Sequence, residues 1–161
     1  MRMLDELLED LGRESFEDFT RRWERGASWE ALRDEEAIGY YDRIVEEIGP
    51  PEFHEAALAS LERLSREERH QLVTEMQQNA RREDLNYPGV HDEGIDEPQA
   101  LAALLSRMHA ERRGMIRQLL AASEATPRTG GILSSPAARA FLAGVAVSAV
   151  RQFTKGAPRK R

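Results

Sequence analysis

At 161 residues, with 40% hydrophobic and 32% charged residues, the chain has length for one moderate core and too little for two. It contains no cysteine, which excludes disulfides, thiolate nucleophiles, zinc ribbons and cysteine-ligated iron–sulfur clusters, and fits a reducing, cytoplasmic setting. The formal net charge of −6 conceals a division: residues 1–100 hold 27 acids against 12 bases, whereas residues 101–161 hold only Glu111 and Glu124 against 11 bases. The two parts therefore attract each other, within one chain or between copies, and any polyanion must compete with the chain's own carboxylates.

The first segment places Leu4, Leu7, Leu8 and Leu11 at helical spacing opposite Asp5, Glu6, Glu9 and Asp10, and Gly12 closes it. It has neither the basic start nor the apolar run of a secretory signal. The excess of arginine over lysine, only Lys155 and Lys160 being lysines, reads as the codon usage of a GC-rich bacterial genome. Ser15 is the expected N-cap of a helix through Arg25, in which Phe16, Phe19 and Trp23 face a core and Gly26 gives the stop. Ser28 or Asp34 caps the next helix, whose stripe is Ala37, Ile38, Tyr41, Ile44, Val45 and Ile48, and Gly49-Pro50-Pro51 breaks it. A helix from near Glu52 carries Phe53, Ala57, Leu58, Leu61 and Leu64. Ser65 with Glu68 then forms a capping box for a helix bearing Leu72, Val73 and Met76.

From Asp84 to Glu97 the periodicity vanishes, and the segment is expected to act as a hinge. Asp84, Asn86 and Gly89 match the first, third and sixth positions of a calcium loop, but Pro88 and Ile95 fall at the fifth and twelfth, where ligands are required. Pro98 opens a long helix to Glu124, with Leu101, Leu104, Leu105, Met108, Met115, Leu119 and Leu120 inward and Arg107, Arg112, Arg113 and Arg117 forming a basic face. The expected organisation is all-α: an acidic helical body over 1–83, a loop over 84–97, the basic-faced helix over 98–124, a linker over 125–135, a small-residue helix over 136–153 and a basic tail over 154–161.

Within this frame, the run from Phe16 to Ala80, with FEDFTRRWERGASWE, YYDRIVEEIGPPEFHEAAL and LSREER, resembles a family of small helical proteins of uncharacterised function that recur in bacterial genomes. The resemblance rests on aromatics, turns and caps, and implies a helical fold without implying an activity.

Signals for chemistry are sparse. Glu67 and His70 form one E-x-x-H pair, the kind that di-iron bundles use twice, and His54 could add a ligand if the fold brought it close. No second pair exists, since Ser106 stands where His109 would need an acid, and the capping box already explains the acids of the first. A solvated helix surface is the preferred reading and no cofactor is expected. The chain lacks G-x-S-x-G and a glycine-rich phosphate loop, so the expectation is a protein without catalytic activity.

The C-terminal helix is the most unusual element. Between Ala137 and Val150 only Arg139 and Ser148 are polar, and Ala140, Gly144 and Ser148 repeat small residues every fourth position, which permits close helix approach. A helix apolar on nearly all sides must be buried in its own protein, a partner or lipid. A bilayer span needs roughly 20 apolar residues, more than this run provides. The expected function is an interaction or assembly module that docks on a protein partner or a second copy through Ala140, Phe141, Leu142, Gly144, Val145 and Ser148. Arg151, Lys155, Arg159, Lys160 and Arg161 would add contact with a polyanion. The alternatives are a tether to a membrane surface or nucleic acid through residues 136–161, with nucleic acid disfavoured by the acidic body, and a metal-binding helical protein.

Overall fold

The computed structural model describes residues 6, 9, 12–25, 33–85, 87–112, 114–120 and 136–156, with the backbone alone at 13, 34, 136 and 153–156. Seven helices are found among them and no strand: α1 Arg13–Arg25, α2 Asp34–Val45, α3 Pro50–Arg63, α4 Arg66–Arg82, α5 Pro98–Glu111, α6 Met115–Leu119 and α7 Pro136–Gly156. The leucines of the opening segment, the caps and stops at Ser28 and Gly26, and the 125–135 linker lie outside the described residues.

Local chemistry accounts for each start. Gly12 adopts φ +84°, and its carbonyl accepts the Phe16 amide at 2.9 Å, so α1 begins before Ser15, which sits exposed in its first turn. Arg33, extended at φ −104° and ψ 148°, precedes α2; its carbonyl accepts the Ala37 amide and the Glu36 carboxylate accepts its N–H, leaving Asp34 inside the helix. The Pro50-Pro51 pair opens α3, two residues earlier than expected, because neither ring needs an N–H there. Ser65 Oγ accepts the Glu68 amide at 3.1 Å while Glu68 Oε1 accepts the Ser65 amide at 2.8 Å, a complete capping box for α4.

One hydrophobic cluster runs from Phe16 to Val150, with α7 at its centre. Helix α7 packs on α1, α2, α3 and α4, and α5 covers the other flank of α3. Gly144 is the point of closest approach. A Cβ there would meet Ser60 Oγ and lie 2.7 Å from Ser60 Cβ, and Ser60 Oγ donates to the Phe141 carbonyl at 2.8 Å. At Gly144 the small-residue stripe lies close against α3 of the same chain.

This corrects the expected docking surface. Ala140, Phe141, Leu142, Gly144, Val145 and Ser148 are all buried within the chain. Exposing Phe141, Leu142, Val145 and Val147 would forfeit roughly 2 kcal/mol each. That total falls within the roughly 5–15 kcal/mol stability of an ordinary domain. Turning α7 outward is thus equivalent to unfolding.

Two further expectations change. Residues 84–97 are bound to the core: Tyr87, Val90 and Ile95 are buried, Tyr87 Oη donates to Glu111 at 2.6 Å, and Gln77 Nε2 donates to the Val90 carbonyl at 3.0 Å. Arg69 ties this strap to the end of α3, donating to the carbonyls of Asp96 at 3.2 Å, Leu61 at 3.3 Å and Leu64 at 2.9 Å. The long helix expected from Pro98 is broken at Gly114, whose φ of +91° suits glycine and redirects the chain into α6. Met115, Ile116, Leu119 and Leu120 then enter the core, and Asn79 Nδ2 donates to the Leu119 carbonyl at 2.5 Å.

Candidate functional site

The break at Gly114 creates a cleft of about 220 Å³, partly open to solvent, where α2, the end of α5 and α6 converge. On α2, Tyr41 and Val45 stand four residues apart with buried side chains, and Asp42, with Glu46 just past the helix end, forms a parallel row on the rim. The helical period thus supplies an apolar wall beside a row of carboxylates. Ile116 and Arg117 line the cleft from α6, and His109 closes it from α5.

His109 is 5% exposed, and its ring stacks on fully buried Phe53, with centroids 4.3 Å apart and planes 8° from parallel. Phe53 belongs to α3, which α7 holds in place from behind, so the imidazole is fixed by core packing. Across the cleft Arg117 Nη1 donates to Asp42 Oδ2 at 2.5 Å and joins α6 to α2. Because the Arg117 and Asp42 side chains are 30% and 44% exposed, this pair contributes geometry more than stability. The second oxygen of Asp42 and the Glu46 carboxylate face no cation of the described residues.

The residues singled out from the sequence fall elsewhere. His54, Glu67 and His70 are not gathered into a ligand set, and no cluster of three His, Asp or Glu side chains able to hold a metal occurs among the described residues. His70 instead approaches Asp96 at 3.6 Å. Arg151, expected to meet a polyanion, pairs with Glu24 and lies over the Trp23 ring, its guanidinium carbon 5.5 Å from the centroid. The side chains of Lys155, Arg159, Lys160 and Arg161 lie outside the described residues. No described helix is long and apolar enough to cross a membrane.

Sequence reasoning missed His109, Asp42, Glu46 and Arg117 as members of one site. Their only shared signal is the glycine that interrupts an otherwise helical run. Neither a family model nor a curated protein nor a solved structure matches the chain.

Proposed function

We propose that this chain is a non-enzymatic helical binding module whose C-terminal helix acts from within, bracing the walls of a ligand cleft instead of docking outward. The observation that carries this reading is the convergence of three helices on the cleft lined by Tyr41, Asp42, Val45, Glu46, His109, Ile116 and Arg117. Apolar walls beside a few directed polar groups are what a small-molecule site needs. The buried Phe53–His109 stack and the Arg117–Asp42 bridge hold that lining before any ligand arrives, which reduces the ordering cost of binding.

The cleft is smaller than the roughly 300–1,000 Å³ of drug-sized sites. Taking roughly 30 Å³ per water-sized group, it holds about seven such groups. The module would therefore bind a small molecule or a single protruding side chain of a partner.

A screen of small fragments by amide-resolved NMR on the full chain tests this. Hits should perturb residues 41–46, 109 and 114–117 together, and a bulky Val45→Trp variant that remains folded should abolish the response. Perturbations scattered over the surface, or none at all, would remove the cleft from consideration.

A further inference from the structure

The charge of the occupant can be read from the lining, given the cleft assignment above. Asp42 lies on α2 and Glu46, the residue that caps its C-terminus in αR conformation, follows four positions on, so their carboxylates sit on the same rim. Asp42 is bridged through Oδ2 alone, by Arg117, and its other oxygen has acceptor capacity to spare. Glu46 makes no side-chain hydrogen bond or ion pair with a described residue and lies exposed at the mouth. Among the described residues, the acidic and guanidinium side chains of the lining are Asp42, Glu46 and Arg117, and the carboxylate left without a cationic partner is Glu46. Behind it the walls are the Tyr41 ring, Val45, Ile116 and the face-stacked His109.

We infer that the cleft takes a small organic cation, an ammonium group carried on a compact hydrocarbon or aryl body of about seven non-hydrogen atoms. The body would fill the space between Tyr41, Val45 and Ile116, and the ammonium would lie at the rim, donating to Glu46 and to the open oxygen of Asp42. An anion of the same size must pass both rim carboxylates to reach Arg117, whose Nε is buried without a hydrogen-bond partner while Nη1 is held by Asp42. A neutral isostere gains the walls but no charge-assisted hydrogen bond.

Three probes of nearly equal size separate these cases: benzylamine, benzyl alcohol and benzoate, titrated into the full chain at neutral pH and fixed ionic strength, with amide shifts followed at residues 41–46, 109 and 114–117. Benzylamine should bind roughly tenfold more tightly than benzyl alcohol, the gain expected of a hydrogen bond to a charged group. Glu46→Gln should erase most of that preference, whereas Glu62→Gln, which removes the same charge from an exposed position on α3, should leave it intact. Equal weakening by both variants would mean general surface attraction and would overturn the assignment. Preferential binding of benzoate would overturn the cationic ligand while leaving the cleft as a site. If none of the three moves the cleft resonances, the binding reading itself fails.

Discussion

Helix α7 makes its closest approach to α3 where its side chains are small, whereas α1 packs on its neighbours through aromatic rings. Alanines line α7, and at Gly144 its backbone comes so near α3 that Ser60 reaches the Phe141 carbonyl. On α1, Phe16 and Phe19 pack on Tyr40 of α2, the first edge-on at 5.0 Å and the second tilted at 4.8 Å, and Trp23 is buried beneath two arginines. Arg63 lies 4.2 Å from the Trp23 centroid and also donates to the last carbonyls of α1, those of Trp23 and Glu24. Attachment by proximity tolerates no added atom, and attachment by bulk tolerates no lost one. The same core therefore has opposite sensitivities at its two ends.

The largest break in that contrast is Gly144→Leu, which has no room beside Ser60 and should leave no cooperative unfolding transition by circular dichroism. Gly144→Ala should cost about 1–3 kcal/mol despite alanine's better helix propensity, because overpacking outweighs it. Adding Ser60→Gly should recover part of that loss, and a cycle without coupling would show that the two residues do not touch. At the other end, Trp23→Ala should destabilise by about 3–5 kcal/mol in chemical denaturation. Arg63→Ala should cost about 1–2 kcal/mol, losing the ring contact and the two carbonyl caps.

The smallest effect concerns the Arg22–Glu36 fork, with paired contacts of 2.8 and 2.9 Å between α1 and α2. The hydrogen bond from Arg22, ahead of any effect of burial, holds the Glu36 carboxyl below its ordinary value of 4.5. A depressed carboxylate stabilises the fold fully above its unfolded pKa, and the contribution is lost as pH falls through the folded one. Glu36→Gln should therefore lower stability by about 1 kcal/mol at neutral pH and flatten the acid limb of the stability profile. An unchanged acid limb would show that the fork does not form in solution.

Much of the fold was legible because local signals and packing agree. The Ser65–Glu68 box, the 16–19–23 aromatic ridge and the inward row Leu101, Leu104, Leu105 and Met108 all fall where spacing places them. The orientation of α7 was not legible, because a helix apolar on every side has no moment to point it, and periodicity is silent on whether its cover is its own chain or another. The strap was misread as a hinge because Tyr87, Val90 and Ile95 anchor it without any regular period. The cleft was hidden for a related reason. Leucines and methionines on both sides of Gly114 carry a helical rhythm through it, and only the positive φ separates Arg117 from the basic face and turns it toward Asp42.

The central position of α7 also bears on synthesis. A chain emerging from the ribosome presents α1, α2 and α3 well before the helix that joins them, and the Ser60–Phe141 contact spans 81 residues. Until α7 arrives, the inner faces of α2 and α3 have no permanent cover, so the decisive collapse waits on distant sequence and proceeds slowly compared with a bundle built from adjacent hairpins. Premature termination before Pro136 would consequently yield a nascent product prone to aggregate and dependent on chaperones, not a smaller working version of the protein.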